Sequence, residues 1–437
     1  MSPAPRAASL TPIAAGDHRL SGARPTPDLA ALGWTEEEHR ASGVAEHPHG
    51  GSADFAVRIL VRRPPTERAS GTLVVEWLNV SSGREAAPEW TYLAEEIVRA
   101  GHAYAAVSAQ YVGVEGGRGS VAVEGMPPAG GLVGDDPERY GDLTHPGDAY
   151  CHDVFASCAA GVRDLVGADT VLAAGESQSA CLLSRHLVSH HADHRVFGGY
   201  LVHSRAGSLP AEVPDGPQHE MAAVLAEPPS YLPDALGVPV VVVQTETDVL
   251  GRMRSFPARQ PDGPWLRTWE VAGTAHADKF QIDAFEDFLG CPTPVNRGQQ
   301  VFVLRAALRA LDAWARGGDA PPTAAPLEVR DGAYVVDTLG NTRGGVRTPA
   351  VDVATEVLSG FAPEGASLIC QLFGSTRPVD PALLARTHPD RETYLAAYAE
   401  SARAMVAAGF CVPEDLDALL ADARPDPQLP DNVSVTS

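Results

Sequence analysis

A short stretch in the middle of the chain combines a strand, a sharp turn and a helix, and it limits the folds that this sequence can adopt. Residues 171–174 form an apolar run of strand character that ends at Gly175-Glu176-Ser177-Gln178-Ser179. Residues 181–187 then carry apolar side chains at helical spacing. A strand that turns into a helix through such a serine motif is typical of a nucleophile elbow, although an ordinary strand-to-helix turn is the alternative.

The Gly-x-Ser triplet alone is weak evidence, because it also occurs at Gly50-Gly51-Ser52 and at Gly365-Ala366-Ser367. Only Ser177 lies between a strand-like run and a helix-like run. The turn must be tight enough to raise the serine oxygen above the sheet edge, so its flanking side chains must be small. Gly175 and Ser179 meet this requirement, and the local pattern therefore predicts Ser177 as a nucleophile.

Composition excludes several classes of partner. The chain has 437 residues, a hydrophobic fraction of 44% and a formal net charge of −23. Such an acidic surface repels phosphate backbones and anionic lipids, and we find no basic patch, so we expect neither nucleic-acid nor membrane binding. No stretch approaches the roughly 18 apolar residues of a membrane span.

The cysteines and the N-terminal sequence favour a cytoplasmic protein. The six cysteines are scattered without a C-x-x-C pair, and the first residues lack the apolar core of a secretory signal. We therefore expect reduced thiols that pack as small buried hydrophobes rather than a disulfide framework.

The order of apolar and polar segments predicts one large α/β core with additions. Residues 1–45 are rich in Pro, Ala and Gly and are interpreted as a partly irregular leader whose later part packs as an edge strand. Strands and helices alternate over residues 46–317, which predicts a mostly parallel sheet with helices on both faces. A proline-rich excursion at 207–236 is interpreted as a lid, residues 318–423 as a C-terminal extension packed on the core, and residues 424–437 as a disordered tail.

Two further strand ends carry side chains that a nucleophilic serine needs. A serine hydroxyl requires a base within hydrogen-bond reach and an acid that orients the base. The buried run at 238–244 ends at Thr245-Glu246-Thr247-Asp248, and a later strand ends at Gly273-Thr274-Ala275-His276. The chain order Ser177, Asp248, His276 is the order that an α/β-hydrolase topology produces. Asp248 lies where such an acid is usual, while Glu246 stays open as the alternative acid.

Acyl transfer also needs hydrogen-bond donors for the developing oxyanion. One predicted donor is the backbone N–H of Gln178, the residue after the nucleophile. The second is an N–H in the loop after the strand at 73–78, near Asn79 or Val80. The usual His-Gly-Gly-Gly run is absent from this loop, so the sequence leaves the identity of the second donor open.

These residues together resemble the α/β-hydrolase superfamily and, more narrowly, the bacterial family known as the α/β hydrolase domain family. Four ordered motifs carry the resemblance, and Gly344-Gly345-Val346-Arg347-Thr348-Pro349 is similar to the C-terminal extension of its members. The motifs are Val75-Glu76-Trp77-Leu78-Asn79-Val80-Ser81, Gly175-Glu176-Ser177-Gln178-Ser179, Gln244-Thr245-Glu246-Thr247-Asp248 and Gly273-Thr274-Ala275-His276-Ala277-Asp278. The likeness runs from about residue 45 to residue 415. It implies the α/β-hydrolase fold and a serine hydrolase of the esterase kind, without a fixed substrate.

A metal enzyme is the first competing interpretation. His186, His190, His191 and His194 cluster at the end of the helix after Ser177, and their i, i+4 pairs have a spacing that can share a metal ion. No H-E-x-x-H motif occurs, and the cluster starts more than two turns from the elbow. We therefore favour a solvated helix end and expect no metal or other cofactor.

Two other functions use the same scaffold. An acyltransferase or a cyclase would pass the acyl group from Ser177 to an alcohol or an amine instead of water. A non-catalytic binding protein is also compatible with the fold, since fold does not determine function. An ordered set of serine, acid and histidine argues for an enzyme acting on a small-molecule ester, while the oligomeric state has no signal in the sequence.

Overall fold

Nine strands form one sheet in the computed structural model of this chain, which describes residues 5–16, 20, 27–121 and 129–430. Their order across the sheet is β1-β2-β3-β5-β4-β6-β7-β8-β9. The strands are β1 (Ser9–Pro12), β2 (Thr35–Glu46), β3 (Ser52–Arg63), β4 (Thr72–Trp77), β5 (Ala103–Val107), β6 (Thr170–Glu176), β7 (Gly199–His203), β8 (Val240–Thr245) and β9 (Leu266–Val271). The first three pairings are antiparallel, and those of β4 with β5, β4 with β6, and β6 with β7 are parallel. This is the mostly parallel sheet that the sequence predicts.

The chain divides into two compact units. The first comprises residues 1–242, 254–266 and 311–319, and the second comprises residues 243–253, 267–310 and 320–437. The division runs through β8 and β9 and has a further boundary between residues 319 and 320. Each unit is described by itself below.

The helices of the first unit connect its parallel strands. They are α1 (Pro88–Ala100), α2 (Tyr111–Glu115), α3 (Gly131–Asp135), α4 (Pro137–Tyr140), α5 (Cys151–Val166), α6 (Gln178–Ser189), α7 (His191–His194) and α8 (Met221–Ala226). The core lies between the sheet and α5, where the Trp77 ring of β4 packs 4.5 Å from the Phe155 ring. Phe155 in turn stacks on Phe197 at 5.2 Å. These aromatic rings belong to a large buried cluster of mostly aliphatic residues, and their burial adds to its stability.

The predicted leader and the predicted lid segment both contain regular elements in the first unit. The expected leader contains β1 at the sheet edge and most of the long strand β2, which pairs with β3 along its whole length. The alternating burial of β2 explains this placement, since one of its faces covers α5 and the other is exposed. The segment at residues 207–236 contains α8 and is closed at its base by the Ser230 N–H, which donates to the Gly207 carbonyl at 2.8 Å.

The second unit consists mainly of short elements. Its helices are α9 (Glu246–Val249), α10 (Lys279–Ile282), α11 (Glu286–Leu289), most of α12 (Gln300–Ala315), α13 (Pro349–Asp352), α14 (Leu368–Phe373), α15 (Pro381–Thr387), α16 (Arg391–Ala407) and α17 (Leu416–Ala421). Two antiparallel pairs accompany them, β10 (Val329–Arg330) with β11 (Ala333–Tyr334) and β12 (Glu356–Ser359) with β13 (Ser375–Pro378). None of the helices in the described ranges is long and apolar enough to cross a membrane.

Two sequence-based expectations are wrong in the second unit. Cys291 and Cys370, 79 residues apart, form a disulfide, while the other four cysteines are buried and are not disulfide-bonded. Part of the expected disordered tail is packed: Leu429 is buried in a cluster with Tyr394 and Tyr398. These aromatic rings on α16 offer an apolar surface that composition alone does not reveal. Residues 431–437 lie outside the described part of the chain.

Candidate active site

Ser177 lies at a sharp turn between β6 and α6, as the sequence predicts. Its backbone has φ 62° and ψ −121°, a conformation that a residue with a side chain rarely adopts. Such strain persists where the surrounding structure enforces it, and it clusters at functional sites. A Cβ placed on Gly175 would lie 3.3 Å from the Cβ of Ser179, so only small residues fit on the two sides of the serine. The Ser177 N–H donates to the carbonyl of His203 on the neighbouring strand at 3.0 Å.

Asn79 joins the loop after β4 to the elbow through its side chain. Its Nδ2 donates to the Glu176 carbonyl at 3.1 Å and to Glu176 Oε2 at 3.3 Å, and its Oδ1 accepts from the Ser81 N–H at 2.7 Å. The sequence gives no role to Glu176, but here it anchors this loop. Asn79 follows the end of β4, and Glu176 is the last residue of the adjacent parallel strand β6, which is the signal that could have paired them.

The geometry distinguishes among the three predicted oxyanion donors. The Asn79 N–H donates to the Ala86 carbonyl at 2.9 Å, so it is not available to a substrate. The Val80 N–H has no acceptor among the described residues. Val80 lies next to the elbow, because the side chain of the preceding Asn79 is bonded to Glu176. Gln178 is the first residue of α6, and the first N–H groups of a helix have no partner within the helix. Val80 is therefore the better candidate for the second donor.

The side chain of Gln178 has a contact that the sequence does not predict. Its Oε1 accepts from the Ser120 hydroxyl at 3.2 Å, and the Val121 N–H donates to the Ser81 carbonyl at 2.9 Å. The segment after α2 is thus tied both to the elbow helix and to the loop that carries Val80. Gln178 therefore contributes its side chain to this part of the fold as well as its backbone.

A buried acidic group supports the same loop from beneath. Glu76 of β4 accepts from the backbone N–H groups of Glu89 at 3.0 Å and Trp90 at 2.8 Å, and from the Tyr104 hydroxyl at 2.5 Å. It thereby caps the start of α1, which has no capping side chain of its own. Burial, together with the nearby Glu89 charge, raises the pKa of Glu76 to about 8. Sequence reasoning missed this role, although a glutamate inside an apolar strand is an indication of it.

Asp248 and His276 form a hydrogen-bonded pair in the second unit. The Nδ1 atom of His276 is 2.6 Å from Oδ1 of Asp248, and both residues are buried. The other carboxylate oxygen of Asp248 accepts from the Thr245 N–H at 2.8 Å and its hydroxyl at 2.7 Å. The carboxylate is therefore fixed on one side by the end of β8 and presents its other oxygen to the imidazole. Such a pair holds a histidine in one orientation and tautomer.

Glu246, the alternative acid, has other partners. Its Oε1 accepts from the Gly273 N–H at 2.6 Å, and its Oε2 accepts from the Gly360 N–H at 2.8 Å. Burial raises the pKa of Glu246, and these two N–H groups oppose that rise. Both carboxylate oxygens are thus engaged by backbone groups, and the geometry favours Asp248 as the partner of His276.

The histidines after the elbow are not the solvated helix end that the sequence predicts. His186 and His194 are buried, and their rings lie 5.1 Å apart. His152 of α5 stacks on His190 at 4.5 Å, and Asp153 Oδ1 is 3.2 Å from Nε2 of His194. Burial is the largest cause that lowers the pKa values of four of these histidines, His152, His186, His190 and His191. Within the described chain, no group of three or more His, Cys, Asp or Glu side chains could hold a metal ion.

Comparison with known proteins identifies the family. The family model described as the alpha/beta hydrolase domain matches residues 9–421 of this chain. A search of curated proteins finds no match.

Solved structures show weaker similarity. A thermostable carboxyl esterase from Bacillus coagulans is 14% identical, with a TM-score of 0.25 over 38% of this chain and 44% of that protein. One of two fungal esterases from Rhizomucor miehei is 12% identical, with a TM-score of 0.35 over 67% of this chain and 86% of that one. A putative dienelactone hydrolase from Klebsiella pneumoniae is 11% identical, with a TM-score of 0.33 over 63% and 98%. The chain thus spans less than half of the Bacillus coagulans esterase. Because all three TM-scores are below 0.5, the assignment rests on the family match, which covers nearly the whole sequence, and the chain belongs to the alpha/beta hydrolase domain family.

Proposed function

We propose that this protein is a serine hydrolase that cleaves a small-molecule carboxylic ester through an acyl-enzyme. The observation that carries the proposal is the conformation of Ser177, a serine with positive φ at the turn from β6 into α6. The hydrogen bond between Asp248 and His276 supports it, because it supplies an oriented base later in the chain. The order of these three residues is the order expected for the family.

The proposed reaction has two steps. His276 Nε2 takes the hydroxyl proton of Ser177 while the oxygen attacks the ester carbonyl carbon, and Asp248 stabilises the imidazolium. The N–H groups of Gln178 and Val80 stabilise the oxyanion. Collapse of the tetrahedral intermediate breaks the bond to the alcohol, which leaves with the proton from His276. In the second step His276 takes a proton from water while the water oxygen attacks the acyl carbon. The bond to Ser177 then breaks, the serine oxygen regains the proton from His276, and the acid is released.

Substitution of the proposed nucleophile and base tests the reaction. Hydrolysis of p-nitrophenyl esters of increasing acyl length is measured for the wild type, Ser177→Ala and His276→Ala, with circular dichroism to show that each variant is folded. Ser52→Ala is the matched control, because Ser52 lies in a Gly-x-Ser triplet but is exposed at the start of β3. We expect activity in the wild type and the control only.

Two outcomes would contradict parts of the proposal. Substantial turnover by Ser177→Ala would exclude Ser177 as the nucleophile, and a folded wild type without esterase activity on the whole series would favour a binding protein. If an added alcohol or amine diverted most of the product into a new ester or amide, the reaction would be acyl transfer and not hydrolysis.

A further inference from the structure

The loop that carries His276 is held by a side-chain hydroxyl of the short helix α9. The His276 N–H donates to Oγ1 of Thr247 at 3.1 Å. The same hydroxyl donates its proton to the Gly360 carbonyl at 2.6 Å. Thr247 is 2% exposed, so water does not compete for these bonds. One side chain therefore connects the backbone of His276 to a residue of the C-terminal region.

Gly360 is also fixed through its other backbone group. Its N–H donates to Glu246, which accepts from Gly273 at the start of the histidine loop as well. The packing is close, since a Cβ on Gly360 would lie 2.5 Å from Glu246 Cβ and 2.6 Å from the Thr247 nitrogen. The Tyr334 hydroxyl donates to the Glu246 carbonyl at 2.7 Å. Helix α9 and the C-terminal region are thus joined by several hydrogen bonds within the second unit.

The C-terminal region, α12 and Asn296, which precedes α12, also hold the two ends of the histidine loop. At its end, the Ala277 N–H donates to the Leu372 carbonyl at 3.1 Å. At its start, Asn296 Nδ2 donates to the carbonyls of Gly273 at 3.1 Å and Ser359 at 3.0 Å. Gln300 of α12 donates to Asp278 Oδ2 at 2.9 Å. The main chain around His276 therefore has little freedom to move unless these contacts break.

We propose that Thr247 is a positioning residue for His276, through which the C-terminal region sets the place of the imidazole. The inference rests on the proposed function, in which His276 is the base. Two consecutive residues of α9 hold the same histidine, Thr247 at its backbone and Asp248 at its ring. Both contacts must be kept for the ring to stay in a productive position, because a displacement of about 1 Å can cost on the order of 100-fold in rate.

The test removes the hydroxyl and keeps the shape of the side chain. Thr247→Val is compared with Thr247→Ser, which restores an oxygen at the same position. We expect Thr247→Val to lower kcat by about 10- to 100-fold while KM changes by less than about twofold, since Thr247 acts on the base and not on the substrate. Thr247→Ser should recover kcat to within about threefold of the wild type. If Thr247→Val does not fold, Thr247→Ala is measured in the same way.

A buried threonine elsewhere in the second unit provides the control. The Thr376 hydroxyl donates to the Val295 carbonyl at 2.8 Å, and Thr376 is 6% exposed. Thr376→Val removes a comparable hydrogen bond and should lower the melting temperature without lowering kcat. If Thr247→Val and Thr376→Val had equal kcat values, or if the serine variant failed to recover activity, the positioning role would be wrong.

This result is separable from a failure of the proposed function. Ser177→Ala is assayed in the same series. If it remained active, the proposed function itself would fail. If it were inactive while Thr247→Val kept the full kcat, only the role of Thr247 would be excluded.

Discussion

The elbow around Ser177 and the loop around His276 are built in different ways. At the elbow, close approach within five residues and a bond to the adjacent strand fix the serine. At the histidine, the contacts come from residues 28 and 29 positions earlier, and these are held by Gly360, 113 positions after Thr247. The comparison shows that local geometry positions the proposed nucleophile, whereas tertiary contacts position the proposed base. Only substitutions close in sequence should therefore disturb Ser177, whereas substitutions far along the chain should also disturb His276.

The largest expected effect is at the elbow. Ser177→Ala should lower kcat by roughly 10⁶-fold, because the proposed acyl-enzyme forms on the Ser177 hydroxyl. Melting temperatures of the variant and the wild type should agree within a few degrees, since the local backbone is enforced by Gly175 and Ser179. Steady-state kinetics and thermal unfolding check this prediction. A large loss of stability together with the loss of activity would show that Ser177 is also structural.

The two carboxylates at the end of β8 should differ sharply. Asp248→Asn should lower kcat by roughly 10⁴-fold, because the amide favours the wrong tautomer of His276. Glu246→Gln should mainly lower the melting temperature and have only a small effect on kcat, since the partners of Glu246 are the backbone groups of Gly273 and Gly360. The same two assays distinguish these effects. A reversed pattern would make Glu246 the acid of the site.

Reduction of the disulfide should affect the second unit selectively. The bond between Cys291 and Cys370 closes a loop of 79 residues. Its loss should lower the free energy of unfolding there by about 2–4 kcal/mol. Hydrogen exchange with and without a reductant should show weaker protection in residues 267–310 and 320–430 and little change in β4 and β6. Cys291→Ser should reproduce the effect without reductant, and equal protection under all conditions would contradict the prediction.

Mild acid should affect the first unit selectively. Burial lowers the pKa values of His190 and His219 to about 4, and those of His152 and His186 well below their ordinary value of 6.5. Between pH 6.5 and about 5 these histidines therefore bind protons in the unfolded chain but not in the folded state, and their contribution to stability falls as the pH falls. Glu76, whose pKa is raised, has the opposite effect, but it is one group against four histidines. Each such histidine contributes up to about 1.4 kcal/mol per pH unit.

Hydrogen exchange over this pH range measures the effect. Protection of α5 and α6 should decrease from pH 6.5 to pH 5 by more than the intrinsic exchange rates explain, and His190→Gln should make the decrease smaller. Constant protection of these two helices would show that the buried histidines do not control stability.

The sequence predicts the elbow well because its determinants are local. A strand, two small residues and a helix all lie between residues 170 and 189. The choice between Asp248 and Glu246 stays open in the sequence, since it depends on the N–H groups of Gly273 and Gly360, which only the folded chain brings to Glu246. Likewise, nothing in the motif after β4 shows that the Asn79 N–H donates to the carbonyl of Ala86.

Other features could not be predicted from the sequence, because they depend on contacts between segments that are distant along the chain. His186 has the spacing of an exposed helix end, but α5 brings His152 against it, and the cluster is buried. Cys291 and Cys370 have no motif spacing, and only the fold places them together. In both cases the local sequence identifies the residues but does not indicate their environment in the folded chain.

Covalent trapping of the nucleophile tests the central proposal most directly. The protein is incubated with a fluorophosphonate, digested and analysed by mass spectrometry, with Ser177→Ala and Ser52→Ala treated in parallel. The proposal predicts one phosphonylated peptide that contains Ser177, full loss of esterase activity as the label forms, and no label in Ser177→Ala. A label on another residue that accompanies the loss of activity, or full activity after Ser177 is labelled, would contradict it.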